Sequence, residues 1–469
     1  MKADAARRYR ARGRSATVLP LMALLCGPSF AQTPPPAPPP PSVPPTGGTS
    51  ATTAGERQMI DLPAALQLAG MNDIDLALIS EAENLAKAAN DAATLRFFPW
   101  LNVGGGYVKD TGGAQAFGGK VSAVDQSLYQ RSVTLNLPLD VGNALFGKLA
   151  ARQLQAAAAF DTQARQSDTL FAAASDYFDL VDAVAGQDIA SEALRIAQDY
   201  EQQLDRGYHA GIINRSELLR VSVQTQRDQI ILRQAQATVR SAAAALATRL
   251  RLDPSLDLQP TDRIPSSPTL VSVDLPVKDL LKDALANRPE LKASAATVSA
   301  ADEQRRAAKY GPLIPSLGAQ AVYGQVRGGP NGDLSDWLSS HQYIVGLSWR
   351  LGPGGLFDFS RTEAANSQLR RQQLLNARLQ DDVSRQVVDA YEAARAALDQ
   401  MGLAKHSVEL ADESLKLSQQ RREFGVYAVL EVIQAQQDLT QARNDYARSR
   451  TQYAKAQYAL ARATARIGE

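Results

Sequence analysis

Apolar and small residues recur at alternating steps of four and three along two neighbouring stretches between Val383 and Ile467. This spacing places them in one stripe along a helix and is the pattern of a coiled-coil seam. The positions are Val383, Val387, Ala390, Ala394, Ala397, Met401, Ala404, Val408, Ala411, Leu415 and Ser418, followed by Val432, Ala435, Leu439, Ala442, Tyr446, Ser449, Tyr453, Ala456, Leu460, Ala463 and Ile467. Between the two stretches, Gly425 marks a reversal of the chain. The sequence therefore predicts a long helix, a turn, and a second helix that returns alongside the first.

The same hairpin occurs once more, earlier in the chain. Gly211 matches Gly425 and Glu217 matches Glu431 at one constant offset, and the later seam has a counterpart that runs from Leu218 to Leu246. Self-similarity at a fixed offset indicates an internal duplication. Aromatic residues make up only 6% of the chain, and alanine is frequent in the seams. This composition favours long helices packed side by side over a thick globular core.

The duplication divides the chain into two repeats, which we place at residues 59–252 and 275–469. Each repeat contains a helical segment, a β-hairpin and the long helical hairpin. The connector at 253–274 is rich in proline, so it cannot be helical throughout. We also expect the first helical segment of each repeat to be interrupted, near Asp73 in the first and before Pro289 in the second.

The N-terminus has the features of an export signal. Residues 1–31 contain an arginine-rich start, an apolar run and a small-x-small cleavage site at Ser29–Ala31, which together are typical of a secretory signal peptide. The formal net charge is +1; removing the six basic residues and one acidic residue of this segment leaves 44 Lys+Arg against 48 Asp+Glu. That charge does not favour a nucleic-acid partner.

Cys26, the only cysteine, lies inside the predicted signal. We interpret it as an apolar signal residue; the alternative is a lipid-attachment site, although Leu25 stands where processing normally needs a small residue. A cleaved product would have no disulfide and no thiolate metal site. Residues 32–58 are mostly Pro, Thr, Ser and Gly, which predicts an extended, disordered tether.

Each repeat also contains two stretches in which apolar residues alternate with polar or small ones, which predicts one β-hairpin per repeat. We expect strands of about 9 to 11 residues, the length of transmembrane barrel strands, joined by long polar tips at 110–130 and 327–341. The residues expected to face lipid are Val133, Leu135, Leu137, Tyr343, Val345, Leu347 and Trp349. An ordinary sheet with one face on a core is the alternative. The export signal, the long tips and the lack of a run of 18 apolar residues after the signal favour the barrel.

Four strands cannot close a barrel in lipid, because the open edges would leave backbone donors and acceptors unpaired. Closure must therefore come from other copies of the chain: at least two are needed for about eight strands, and three give twelve. The helices that follow the hairpins are about 60 residues long, roughly 90 Å, and no soluble domain core needs that length. The expected fold is mainly α with a membrane β-barrel.

In these features the chain resembles the TolC-like outer membrane efflux protein family, and the resemblance covers the region from Ile60 to Ile467. It rests on a Pro-x-Leu before the first strand of each hairpin, at Pro99 and at Pro315, on the tandem repeat, and on a turn motif. The turn motif is Gly-x5-Glu followed by two apolar residues, at Gly211–Leu219 and Gly425–Ile433.

The resemblance implies a homotrimer whose twelve strands form one barrel in the outer membrane of a Gram-negative cell and whose helices form a tunnel through the periplasm. It also implies a periplasmic adaptor and an inner-membrane pump as partners. The residues that would then meet the adaptor are Gly211, Ile212, Ile213, Gly425, Val426 and Tyr427. Glu431 stands where some family members have an acid close to the constriction. Gln434 stands where a second acid can follow, so a strongly acidic ring is not expected.

Charged residues of both signs concentrate at the two turns, and we regard them as candidates for a gate at the periplasmic tip. They are Arg206, Arg215, Glu217, Arg421, Arg422 and Glu431. The alternative for each is a solvated helix end, since exposed ion pairs contribute only about 0 to 1 kcal/mol.

No cluster of residues predicts catalysis, a cofactor or a metal. His209, His341 and His406 are far apart in sequence and have no partner at metal-ligand spacing. The glycines at 104–106 lack the lysine and the following helix of a phosphate loop. We therefore predict a protein that is not an enzyme. It is either a passive exit duct of a tripartite efflux or type I secretion system, or a non-conducting coiled-coil scaffold of the envelope. The exported substrate and the class of pump stay open.

Overall fold

The structure is a computed structural model that describes residues 57–115, 119–262, 269–330, 335–423 and 429–467. The predicted signal peptide, the predicted tether up to residue 56, and the turn residues Gly425, Val426 and Tyr427 lie outside these residues. Arg422 belongs to a described helix, but its side chain lies outside the description.

The first half consists of a short strand, two short helices, a β-hairpin, one very long helix and a shorter returning helix. These elements are β1 (Arg57–Ile60), α1 (Leu62–Asn72), α2 (Ile74–Leu95), β2 (Trp100–Gln115), β3 (Val121–Asp140), α3 (Val141–His209) and α4 (Arg215–Arg249). The 69 residues of α3 span roughly 100 Å at 1.5 Å per residue. The predicted break lies at Asp73, whose side chain accepts hydrogen bonds from the first backbone amides of α2.

The second half repeats this order. Its elements are β4 (Asp257–Pro260), α5 (Val277–Asn287), α6 (Pro289–Tyr310), β5 (Ser316–Pro330), β6 (Leu338–Ser348), α7 (Phe359–Glu423) and α8 (Val429–Ala463). Pro289 begins α6 as predicted, because a proline disfavours helical geometry at the residue before it; Arg288 has φ −59° and ψ 125°. Among the described residues, no helix has the combination of length and apolar character needed to cross a membrane.

The predicted seam of α7 and α8 is the contact surface between these two helices. Every position of the stripe is buried or half-buried, and Val387, Ala394 and Leu460 have no measurable exposure. The coiled-coil prediction is therefore confirmed. Full burial of a larger aliphatic side chain such as Val387 or Leu460 stabilises the pair by about 1.5 to 3 kcal/mol relative to leaving it in water.

The largest core joins the two repeats. Phe178 of α3 packs its ring 5.8 Å from that of Tyr177 and 5.7 Å from that of Tyr458 in α8. Ala65 and Ala69 of α1 belong to the same cluster. These contacts connect the first helical hairpin to the second, so the two repeats form one packed unit.

A small parallel sheet was not anticipated. β1 pairs with β4, from Arg57 opposite Asp257 to Ile60 opposite Pro260. The tether predicted for residues 32–58 therefore overlaps β1 by two residues, and the connector predicted for residues 253–274 contains β4. A run of four residues is too short for a period-two pattern to be recognised.

The hairpins form one antiparallel sheet in the order β2-β3-β5-β6. Its strands have 16, 20, 15 and 11 residues, so the predicted length of 9 to 11 is wrong for three of them. Most of the segment 110–130, predicted as a tip, is strand. Glycine and polar residues there suggested a loop. The ladder of β2 and β3, in which the rings of Tyr107 and Tyr129 lie 4.6 Å apart, nevertheless continues to Gln115 opposite Val121.

Trp349 was predicted to lie in the fourth strand, but β6 ends at Ser348. The indole Nε1 of Trp349 donates a hydrogen bond to the Leu313 carbonyl at 3.4 Å. The chain then turns back on itself at Gly352 and Gly354, which have φ of +98° and +76°. Glycine adopts this left-handed conformation without steric cost, so the chain can reverse here after it leaves the sheet.

Candidate functional site

The tip of the first helical hairpin is a tight turn closed by glycine. Gly211 follows α3 with φ +73°, and the amide of Ile212 donates to the Gly207 carbonyl at 2.9 Å. A side chain on Gly207 would meet Ile213 Cγ1 at 2.7 Å, so this glycine lets the returning chain cross closely over the end of α3. The sequence motif thus produces a compact reversal.

The two isoleucines of this turn have different environments. Ile212 is 67% exposed. Ile213 is half-buried and packs against a cluster formed by Leu204, Val221 and Val429. Of these two isoleucines, both predicted to contact an adaptor, Ile212 is therefore the one available to a partner.

The tips of the two helical hairpins contact each other. Val429, at the start of α8, lies in the same cluster as Leu204 of α3 and Val221 of α4. α7 ends at Glu423 and α8 begins at Val429, with the turn between them outside the described residues. The first turns of α4 and α8 carry Glu217 and Glu431, where a negative charge interacts favourably with the helix dipole.

One ion pair of the predicted gate is present within the chain. Arg421 Nη1 lies 2.9 Å from Glu431 Oε1. Arg206 instead donates from Nε to the Gln202 carbonyl at 3.2 Å. In the part of the chain that the structure describes, neither Glu217 nor Arg215 forms an ion pair.

A polar bridge that the sequence analysis missed connects the two hairpins above their tips. Gln437 Nε2 of α8 donates to Gln224 Oε1 of α4 at 2.8 Å, and Gln224 Nε2 donates to Asp228 Oδ1 at 2.9 Å. This bridge connects α4 directly to α8. Both glutamines lie next to the predicted seams, but an amide beside a seam carries no signal of its partner.

The predicted lipid-facing residues share one face of the sheet. In an antiparallel sheet, directly opposed residues lie on the same side. Leu135 stands between Leu101 and Ala321, and Ala321 stands opposite Tyr343. The same register brings together Val133, Leu137, Val345 and Leu347 with Leu135 and Tyr343.

The opposite face of the sheet is more polar. Thr134 stands between Asn102 and Val322. Gln320 Nε2 of β5 donates a hydrogen bond to Asn136 Oδ1 of the neighbouring strand β3 at 2.8 Å. The sheet therefore has one apolar and one mixed polar face, although both faces of the outer strands β2 and β6 are largely open to solvent in the single chain.

A groove runs along α3 between α4 and α8. The part of the groove nearer the tips has a volume of about 660 Å³. The part farther from the tips reaches Asp182. Burial raises the pKa of the Asp182 carboxyl above its ordinary value, and the Asp179 carboxylate adds to the rise, whereas Arg448 and Lys455 oppose it. Desolvation of the charged form outweighs the two cations here.

This raised pKa predicts a pH dependence of stability. Because the folded state holds the Asp182 proton more tightly than the unfolded state, its contribution is fully present below the unfolded pKa and is lost as pH rises through the folded pKa. When the pH is raised from 4 to 7, we therefore expect the stability of the Asp182→Asn variant to fall less than that of the wild type. Thermal unfolding at the two pH values tests this, with the exposed Asp381→Asn as the control. Equal losses in the wild type and Asp182→Asn would contradict the assignment.

The sequence matches a known protein family over its second half. Residues 280–466 match the model of a family described as "Outer membrane efflux protein". No curated protein matches the chain.

The fold is similar to those of solved outer-membrane channels. The Campylobacter jejuni CmeC outer membrane channel superposes with a TM-score of 0.74 at 16% identity, covering 87% of each chain. The Vibrio cholerae outer membrane protein VceC gives 0.73 at 15% identity, covering 86% of this chain and 95% of that one. The open state of the Neisseria gonorrhoeae MtrE outer membrane channel gives 0.69 at 16% identity, covering 86% and 88%. At these identities the likeness establishes the fold.

Proposed function

We propose that this chain is a TolC-like outer membrane efflux protein and that it is the exit duct of a tripartite efflux or type I secretion system. The match of residues 280–466 to the family described as "Outer membrane efflux protein" and the similarity of the fold to those of CmeC and VceC support this proposal. In this role it is a passive conduit and not an enzyme. A periplasmic adaptor joins it to an inner-membrane pump, and the pump supplies the energy.

The observation that carries this proposal is the four-stranded sheet with two free edges. β2 and β6 stand at its ends, and the outer edge of each pairs with no other strand among the described residues of one chain. In lipid, unpaired backbone groups along such an edge cost several kcal/mol each. Three copies arranged head to tail, with β2 of one beside β6 of the next, close a twelve-stranded barrel and leave no edge.

The two faces of the sheet suit this arrangement. The apolar face, with Leu135 and Val345, would meet outer membrane lipid, and the face with Thr134, Asn136 and Gln320 would line the lumen. Barrel strands alternate between lipid and lumen in this way.

The helical part suits a duct that reaches toward the inner membrane. α3 and α7 run away from the sheet for 69 and 65 residues, roughly 100 Å each. At their far ends the exposed Ile212, flanked by the charged tip residues, offers an apolar contact for the adaptor.

Three measurements test the proposal. The protein should stay in the membrane until detergent is added, and its native mass in mild detergent should be that of three copies. In planar lipid bilayers it should conduct ions. A folded protein that leaves the membrane without detergent, or a stable monomer, would contradict the proposal.

The tip offers a prediction about gating. Glu217→Ala combined with Glu431→Ala should raise the single-channel conductance, because the proposed gate relies on exposed charge pairs worth about 0 to 1 kcal/mol each, of which Arg421–Glu431 is present within the chain. High salt should partly mimic this in the wild type through screening.

Matched variants separate the contributions of the two acids. Arg421→Ala should raise the conductance as much as Glu431→Ala, since each removes the same ion pair. Glu217→Ala alone should have the smaller effect. Unchanged conductance of the double variant at low salt would return these residues to the role of solvated helix ends.

A further inference from the structure

Two arginines lie on the apolar face of the sheet, at the end of the sheet that is farther from the helices. Side chains separated by an even number of residues along a strand lie on the same face, so Arg131 of β3 shares the face of Leu135. Arg131 stands opposite Gln325 of β5, and Arg327, two residues further along β5, stands opposite Tyr129. The two arginines are therefore diagonal neighbours on one face, with Cβ atoms about 7 Å apart.

Strand geometry places this pair near the outer boundary of the membrane in the proposed barrel. α3 begins directly after Asp140, at the other end of β3, and Arg131 lies about 30 Å from Asp140 at roughly 3.4 Å per residue. With the strand tilt of about 35 to 45° that barrels adopt, this is a rise of about 23 Å, close to the full height of the apolar band of about 25 Å. Because the helices extend into the periplasm in the proposed duct, the arginines lie at the level of the outer leaflet.

Aromatic rings surround the two arginines and support this level. The guanidinium carbon of Arg131 lies 4.5 Å from the centre of the Trp337 ring. The rings of Tyr107 and Tyr129 lie 4.6 Å apart, in the same row of the sheet as Arg327. Girdles of aromatic residues mark the levels at which a barrel meets the lipid headgroups. The neighbours of the arginine pair are therefore headgroups and not acyl chains.

Within the part of the chain that the structure describes, neither arginine forms an ion pair. Arg131 donates from Nε to Gln325 Oε1 at 2.9 Å, and its Nη2 contacts the same neutral oxygen. The Nε of Arg327 is buried and has no hydrogen-bond partner among the described residues. By contrast, Lys109 on the same face lies 3.6 Å from the Asp125 carboxylate. Two adjacent cations, one of them with an unused buried donor, favour an anion that comes from outside the chain.

We propose that Arg131 and Arg327 together bind a phosphate group of an anionic lipid in the outer leaflet. This inference rests on the outer-membrane barrel of the proposed function. A guanidinium group offers paired N–H donors that match the oxygens of a phosphate. The contact is stronger beside the bilayer than in bulk water, because the local dielectric constant is lower.

The apolar rows next to the arginines favour a lipid over a soluble anion. Val133 lies in the next row toward the helices, between Val103 and Tyr323, and the row of Leu135 follows. Val103 is 70% and Tyr323 57% exposed in the single chain. A soluble phosphate would leave these side chains uncovered. A phosphorylated lipid covers both parts of the surface, since its headgroup meets the arginines and its acyl chains lie on the apolar rows.

Native mass spectrometry of the detergent-solubilised protein tests the proposal by counting the lipids bound to each assembly. The probes are lipid A with two phosphate groups, the same lipid without phosphate, and inorganic phosphate. We expect the wild type to retain one phosphorylated lipid per chain and to bind the lipid without phosphate about tenfold more weakly or worse. Inorganic phosphate at millimolar concentration should not displace the bound lipid, because it makes no apolar contact.

Arg327→Gln is the most informative variant, because it removes a charge that forms no ion pair within the described residues. It should weaken the binding of phosphorylated lipid A by about tenfold, and Arg131→Gln in addition should weaken it further. Arg327→Lys should retain part of the affinity, since lysine keeps the charge but lacks the paired donors. Lys109→Gln is the matched control: Asp125 already neutralises this cation of the same face, so its loss should leave binding close to the wild-type level.

The outcomes are separable because the same spectra report the native mass. Trimers that bind the lipid equally with and without its phosphates, or equally in Arg327→Gln and the wild type, would overturn the site and leave the proposed function standing. An equal loss of binding in Lys109→Gln and Arg327→Gln would overturn it as well, by showing a general charge effect. Displacement by inorganic phosphate would overturn the assignment of a lipid. A monomeric native mass of the wild type would overturn both this inference and the proposed function.

Discussion

Leu135→Arg should sharply reduce the amount of assembled protein in the outer membrane. Leu135 lies in β3 on the apolar face of the sheet, between Leu101 and Ala321. An arginine on the lipid face of a barrel costs about 2 to 4 kcal/mol near the bilayer midplane, because the charge loses its hydration without gaining a partner. We expect Leu347→Arg in β6 to behave in the same way. The measurement is the amount of assembled protein in washed outer membranes.

Thr134→Arg provides the matched control, one residue away in the same strand. Thr134 stands between Asn102 and Val322 on the opposite face, which in the barrel would face water. This variant should assemble close to the wild-type level. Equal loss in Thr134→Arg and Leu135→Arg would mean that the face is assigned incorrectly, and normal assembly of both would argue against a lipid-embedded sheet.

Phe178→Ala should destabilise the helical body by about 3 to 5 kcal/mol, the range found when a buried phenylalanine is truncated to alanine. Phe178 is 1% exposed and lies against the rings of Tyr177 and Tyr458. The substitution removes apolar contacts and leaves a cavity at the place where α3 of the first repeat meets α8 of the second. Chemical denaturation of the detergent-solubilised protein measures the loss as a lower midpoint with an unchanged slope.

Phe178→Leu distinguishes lost packing from a general intolerance of the site. Leucine keeps most of the apolar volume, so it should retain much of the stability that alanine loses. If leucine and alanine cost the same, the ring contacts themselves, and not the filled volume, would be the dominant contribution. If neither variant is destabilised, the cluster does not join the two repeats.

The sequence alone determined the features that depend on local periodicity. The alternation of four and three predicted the α7–α8 seam position by position, because the side chains of one helical stripe are set by the helix repeat itself. The breaks at Asp73 and Pro289 were predictable for the same kind of reason, since capping and proline act on the nearest residues. The alternation of residues along a strand likewise placed Leu135 and Thr134 on opposite faces of the sheet without knowledge of the strand register.

Only the tertiary structure decided what depends on pairing between distant segments. β2 and β3 extend through glycine-rich residues because the cross-strand ladder outweighs local propensity. β1 pairs with β4, and Gln437 donates a hydrogen bond to Gln224, although no local sequence pattern predicts either contact. At the tip Arg421 forms an ion pair with Glu431, whereas Arg206 donates a hydrogen bond to the Gln202 carbonyl of its own helix. Polar and charged side chains have many possible partners, and the packing of the helices determines which of them come within hydrogen-bond distance.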